Sequence, residues 1–278
     1  MSRSVATNWP EYLIEAWALG MFMLSAGLVT VFVESPRSPV LARVADPDLR
    51  RLIIGLAMGL TAVALIYSPW GRRSGAHMNP AVTLSFLLLG KMRSVDALFY
   101  CVAQVIGGFA GVLLAWGIAG GAFSAPQVNY VATMPGAAGA GVAFVAEFGI
   151  SMLMMLTVLT VSSRPRVAPY TGICAGLLVA AFITFEAPLS GMSMNPARSL
   201  ASAAPAGLWQ HLWLYFTAPV LGMTTAALVW RRTQGRSAVP CAKLAHPADV
   251  RCIHCGHEPP HLAPAGEPGT LTGRESDR

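Results

Sequence analysis

The triplet Asn-Pro-Ala occurs twice in the chain, as Asn79-Pro80-Ala81 and as Asn195-Pro196-Ala197, and both times it opens an apolar run too short to cross a bilayer. Each triplet reads as a helix start. Asn is a favoured cap, and Pro at the first helical position gives up only an N–H that would be unpaired there anyway. The runs that follow are Val82 to Leu89 and Ser199 to Ala204. A helix of about ten residues reaches roughly 15 Å, against a bilayer core roughly 30 Å thick. Two half-length helices with the same opening, one in each half of the chain, predict an inverted repeat whose helix starts meet near the midplane around a cavity.

The rest of the chain supplies the wall. Six apolar blocks are long enough to span, roughly 11–33, 50–68, 95–120, 140–162, 170–187 and 209–231, so the order is three spans with one half-helix, twice. Only 12% of residues are charged and 54% are hydrophobic, where a soluble domain carries about 25% charge. The expected fold class is an all-α membrane protein with six transmembrane helices and two re-entrant half-helices. Three spans per half make the halves antiparallel, as facing half-helices require.

The net charge of +6 does not mark a nucleic-acid partner, because Arg sits mainly in short loops between the blocks, where it sets topology. Arg72, Arg73, Lys91, Arg93, Arg164, Arg166, Arg231, Arg232 and Arg236 fall on one side, and the 121–139 loop on the other side carries no charge. The positive-inside rule then puts both termini in the cytoplasm. Lys occurs only at Lys91 and Lys243, which hints at a GC-rich bacterial genome and hence a multi-pass protein of a bacterial inner membrane. The first block, Tyr12 to Val33, lacks a strongly basic start and a small-residue cleavage site, so it reads as retained. Cys101 and Cys174, inside apolar blocks, read as small core residues. The composition divides the chain into a membrane domain, 1–232, and a cytoplasmic tail, 233–278, whose last part from about Pro259 is expected to be disordered.

The triplets stand in matched contexts, Ser74-Gly75-Ala76-His77-Met78-Asn79-Pro80-Ala81-Val82-Thr83 and Ser190-Gly191-Met192-Ser193-Met194-Asn195-Pro196-Ala197-Arg198-Ser199, after the second and fifth of six spans. In this the chain resembles the aquaporin, or major intrinsic protein, family over about residues 8–232, with the tail outside the likeness. The resemblance implies a passive channel for water and small uncharged solutes that excludes protons and ions. It also implies a homotetramer with one pore per protomer and no cofactor for transport. Glycerol-conducting relatives carry Asp after the Arg, where Ser199 stands here, and Tyr215-Phe216 ahead of Pro219 looks like the water-channel branch.

The proton barrier can be argued from physics alone. Two helix N-termini at a pore centre each contribute about half a positive charge, and the amides of Asn79 and Asn195 add N–H donors. A passing water turns its oxygen to both and its hydrogens outward, which interrupts a proton wire, while the positive field opposes cations. Both Asn could instead be plain caps. Arg198, a charge inside an embedded segment, is a functional candidate by default, and the resemblance makes it a donor and cation repeller near the outer mouth. A salt bridge or a snorkelling side chain is the plainer alternative.

In water-selective relatives the constriction combines an aromatic on the second span, a His on the fifth, a small residue before the second triplet, and the Arg. Those places fall on Met58 or Gly59, on Ile183, on Met192 and on Arg198, so only the Arg is kept and the expected filter is more apolar. Met192 stands where some relatives have Cys, so no mercurial block is expected there. Glu15 and Glu147 occupy matching places in the first and fourth spans. Each is expected to brace the unwound segment before a half-helix by accepting its free N–H groups. His77 is expected beside the pore, through its carbonyl or as a structural ring.

The tail carries Cys241, His246, Cys252 and Cys255, a four-ligand set suited to Zn²⁺, with His254, His257 and His261 as substitutes. Unliganded thiols or a redox sensor are the alternatives. Two rivals to a channel remain. One is a membrane enzyme using Glu15, Glu147 and His77, although no phosphate-cradling glycine loop is visible. The other is a non-conducting relative with a metal-binding regulatory tail.

Overall fold

The structure, a computed structural model, describes residues 3–235, 238–246 and 249–259. Among these the regular elements are all helical. The first half comprises α1 (Arg3–Glu34), α2 (Pro39–Arg43), α3 (Pro47–Tyr67), α4 (Pro69–Ser74), the half-helix α5 (Pro80–Leu88) and α6 (Ser94–Ala119). After the short α7 (Gly121–Ser124), the second half comprises α8 (Gly139–Ser162), α9 (Thr171–Phe185), α10 (Ala187–Ser190), the half-helix α11 (Pro196–Ala206) and α12 (Leu212–Thr233). Among the described residues, six helices are long and apolar enough to cross a membrane. Their outward faces carry exposed Leu60, Val145 and Phe185, the surface expected of helices solvated by lipid tails.

Both half-helices start where Asn and Pro require. The Asn79 side chain accepts from Ala81 N, and that of Asn195 from Ala197 N and Arg198 N. The second half-helix runs two residues past its expected end, through Pro205 to Ala206. A proline there removes a single N–H in the last turn, which is a small loss next to one in mid-helix.

The halves repeat each other in detail. In the first, α1 packs on α6, and in the second α8 packs on α12. A Cβ placed on Gly107 of α6 would lie 1.9 Å from Ala16 O, and one on Gly222 of α12 would lie 2.4 Å from Phe148 O. Ala16 follows Glu15 and Phe148 follows Glu147, so each bracing carboxylate sits beside the point where two spans nearly touch through backbone. Small residues permit this approach, on which van der Waals attraction between helices in lipid depends. The helices α3 and α9 cross through Gly59 and Gly176 in the same way.

The described part of the tail turns back over the end of the bundle where α4 leads into the first half-helix. Val239, Ala242 and Leu244 are buried and join the central apolar core. Leu244 N donates to Gly75 O at 3.2 Å. Of the stretch expected to be disordered, only Pro259 is described, and it is buried. Arg236, His261 and the rest of 260–278 lie outside the described residues.

Candidate functional site

The two half-helix starts meet inside the bundle. Asn79 Nδ2 donates to Met194 O and Asn195 Nδ2 donates to Met78 O, both at 2.7 Å, so each triplet is tied to the residue before the other. A carboxamide has two N–H groups and one oxygen. In each Asn the oxygen accepts from its own helix start and one N–H crosses to the facing loop. One N–H per Asn remains for the cavity that both residues line.

The segments leading into the triplets are unwound, and in each the first and third residues after the glycine have left-handed backbone. Ala76 and Met78 lie at φ 53° and 51°, and Met192 and Met194 at φ 50° and 53°. Non-glycine residues pay for this conformation, and buried N–H groups need acceptors. Glu15 supplies them in the first half: Oε1 accepts from Ser74 Oγ at 2.7 Å and His77 N at 3.0 Å, and Oε2 from Met78 N at 2.7 Å and Gln104 Nε2 at 2.8 Å. Glu147 does the same in the second, accepting from Ser190 Oγ at 2.9 Å, Ser193 N at 2.5 Å and Met194 N at 2.7 Å. Tyr100 and Tyr215 complete the match by donating to Ser74 O and Ser190 O. With their oxygens committed as acceptors, neither carboxylate is arranged to attack or protonate a substrate. Tyr100 and Gln104 carry no mark in the sequence, and Tyr215 stands out there only as a branch marker, not for this bond.

A cavity of about 300 Å³ passes these helix starts. Thr30, Arg51 and Ile54 mark its far end, Arg198 and Met192 line it next to the second triplet, and Leu244 lines it at the tail end. Residues 76–79 and 191–195 line it, as do apolar side chains such as Met154, Val158 and Met223. Of the two candidates on the second span, Met58 lines the cavity, whereas Gly59 faces α9, where a Cβ would lie 2.5 Å from Gly176 O. Ile183 lines it as well. Arg198 Nη1 is buried with no protein hydrogen-bond partner, so the guanidinium keeps an unused donor beside the cavity. Cys101 and Cys174 are not among the lining residues.

His77 is held by its ring. Its Nδ1 lies 3.0 Å from Thr83 Oγ1 and its Nε2 lies 2.8 Å from Ala242 O, a carbonyl, which assigns the proton to Nε2. The ring stacks on His254, whose Nε2 lies 3.2 Å from Ser74 O. Burial lowers the His254 pKa to about 4, so that ring is neutral at pH 7. Lys243 is 2% exposed and donates to Arg72 O and Arg251 O.

The sulfur and nitrogen atoms of Cys241, His246, Cys252 and Cys255 lie within 4.8 Å of one another. Cys241 Sγ and Cys252 Sγ are 3.3 Å apart, and His246 Nε2 is 3.2 Å from Cys255 Sγ. Ligands about 2.3 Å from a tetrahedral zinc stand roughly 3.8 Å apart, so this donor set fits such an ion in type and in spacing. A Cys252–Cys255 turn, closed by Gly256 N donating to Cys252 O at 3.0 Å, presents two of the ligands, and Gly256 supplies the φ of 74° that the turn needs. The bond from Cys241 favours the thiolate on Cys252. His254 turns to Ser74 and Tyr100 instead of the cluster.

Comparison with known proteins sets this geometry in context. The profile of the Major intrinsic protein family matches residues 2–230. Aquaporin NIP1-2 of Arabidopsis thaliana is 33% identical over 213 residues, covering 75% of this chain and 69% of that one. Aquaporin Z of Photorhabdus laumondii is 30% identical over 203 residues, covering 67% of this chain and 85% of its own length. A further Arabidopsis relative is matched over 61% of its length. Among solved structures, the aquaglyceroporin from Plasmodium falciparum aligns with a TM-score of 0.68 at 18% identity, over 82% of this chain and 98% of that one, which is a likeness of fold.

Proposed function

The chain belongs to the major intrinsic protein family, and on that premise we propose a passive channel for water and small uncharged solutes that holds back protons and ions. The observation that carries this reading is the pairing of the two capped half-helix starts at one cavity, which both Asn line while each spends one amide N–H on the facing loop. A water between them accepts from both, is turned hydrogens-outward, and breaks the chain of donors along which a proton would hop. The two helix ends add positive potential at the same place, and Arg198 adds a full charge next to it.

The filter is the ring of Met58, Ile183, Met192 and Arg198. With three apolar members and one donor, it selects against charge more than for a particular hydrogen-bonding pattern, which admits small neutral solutes beside water. Ser199 and the Tyr215-Phe216 pair favour the water-channel side of the family. The protein works as a homotetramer in a bacterial inner membrane, with both termini cytoplasmic. Transport needs no cofactor. Cys241, His246, Cys252 and Cys255 hold one structural Zn²⁺ in the tail.

The test is stopped-flow light scattering on purified protein in liposomes, with and without a zinc chelator, under sucrose, glycerol, urea and ammonia gradients. Water flux well above that of empty liposomes is expected in at least one condition. Flux equal to empty liposomes in both would remove the channel.

A further inference from the structure

We propose that the zinc-clasped tail is a gate: with metal bound it seats Leu244 in the cytoplasmic end of the pore, and on metal loss it releases it. This rests on the channel reading above. The two outer ligands of the tail loop, Cys241 and His246, bracket the sequence Ala242-Lys243-Leu244-Ala245, and the other two come from the Cys252–Cys255 turn. One ion bound by all four therefore closes a short loop whose apex is Leu244. That side chain is 6% exposed and lines the same cavity as His77, Asn79 and Arg198. Its neighbours at that end, Ile66, Val158 and Ala175, are apolar. An apolar constriction stops water by refusing to be wetted.

The loop grips the pore segment itself. His77 donates to Ala242 O, Leu244 N donates to Gly75 O, Lys243 donates to Arg72 O, and His254 lies against Ser74 O. All four anchors fall on residues 72–77, the run leading into the first half-helix. Hence the metal site and the pore are joined by a few bonds and no intervening domain.

Charge gives a second reason for a metal. The Lys243 ammonium is buried and makes no ion pair among the described residues. Zn²⁺ with three thiolates and one neutral imidazole carries a net charge of −1, which supplies the missing counter-charge close by. Without the ion, the 241–246 loop loses its metal tie to the Cys252–Cys255 turn and keeps only thiol and imidazole contacts there beside its bonds to residues 72–77, and a small site of this kind takes much of its folding free energy from the metal.

The experiment uses the full chain in liposomes under reducing conditions, with Zn²⁺ as the probe, bound metal measured by elemental analysis, and water flux by stopped flow. One Zn²⁺ per chain is expected, with slow flux when loaded and a several-fold rise after chelation. Cys255→Ser, at an exposed position, is expected to bind no zinc and to conduct at the chelated rate whether or not zinc is added. Leu244→Ala is expected to keep its zinc and conduct while loaded. Flux unchanged by chelation in a protein that had bound one Zn²⁺ would overturn the gate and leave the channel standing, and so would failure to bind zinc at all. Flux at the lipid background in every state, with Cys255→Ser and Leu244→Ala included, would remove the channel and the gate together.

Discussion

Replacing Glu147 by Gln changes one oxygen to an NH₂ group and removes one charge, at a site where three donors converge. If the remaining oxygen keeps Ser190 Oγ and Ser193 N, the new NH₂ faces Met194 N, and two donors are left opposed with no acceptor between them. A charge-assisted bond contributes about 1.5–3 kcal/mol and an abandoned buried donor costs about 1–3 kcal/mol. The two together come to about 2.5–6 kcal/mol, which brackets the ~3–5 kcal/mol found when a buried ionic group loses its partner. The left-handed residues Met192 and Met194 are then no longer over-determined, and the loop relaxes into the cavity it lines. Thermal unfolding in detergent is the first assay. At roughly 2–4 °C per kcal/mol for a chain near this size, a midpoint lower by on the order of 10 °C is expected. Water flux should fall in parallel. A variant with the parent midpoint and parent flux would refute the bracing argument, and one with the parent midpoint but no flux would point to a chemical role for the carboxylate.

Four further outcomes follow from the same geometry. Arg198→Ala removes the buried donor at the filter, and liposome assays should show faster urea and glycerol flux together with a cation leak absent from the parent. Met192→Cys, made with the tail cysteines changed to Ser, should render water flux sensitive to a mercurial, and insensitivity would take Met192 off the pore. Gly107→Val forces a side chain to within 1.9 Å of Ala16 O. It should lower the yield of folded protein or its midpoint by several degrees, because backbone cannot move aside as a flexible side chain can. Gly117, where a Cβ meets nothing within 4 Å, is the matched control and should tolerate Ala with no measurable change.

The spans were legible because lipid leaves a coarse signature, long apolar blocks interrupted by charge. The half-helices were legible because a capping Asn followed by Pro is a local device that needs no knowledge of the partner. Glu15 and Glu147 could be paired by their matching places in the two halves. That they accept backbone N–H groups of the unwound segments could be argued, but the particular residues, and the side-chain donors Ser74, Gln104 and Ser190 beside them, could not be named. Met58 and Gly59 stayed undecided from the sequence because a one-residue loop difference shifts the register, and what separates them is the close approach of Gly59 to Gly176 across two helices. The docking of the tail had even less signal. It depends on Ala242 O, Gly75 O and Ser74 O, which every residue type offers, and on a Lys243 that looks like a solvated charge. The Cys and His spacing named a ligand set, yet nothing in it told that the loop between two of those ligands reaches the pore.

In the proposed channel, water passes and protons are blocked at the one point where the two helix starts meet. The direct measurement is paired: osmotic water flux and proton entry, the latter from an enclosed pH dye, in liposomes holding Cys255→Ser protein so that the tail does not obstruct the mouth. Rapid water flux with a shallow temperature dependence, and proton entry no faster than in empty liposomes, is the predicted result. Proton entry rising together with water flux, or no water flux from a protein that is folded and inserted, would contradict it.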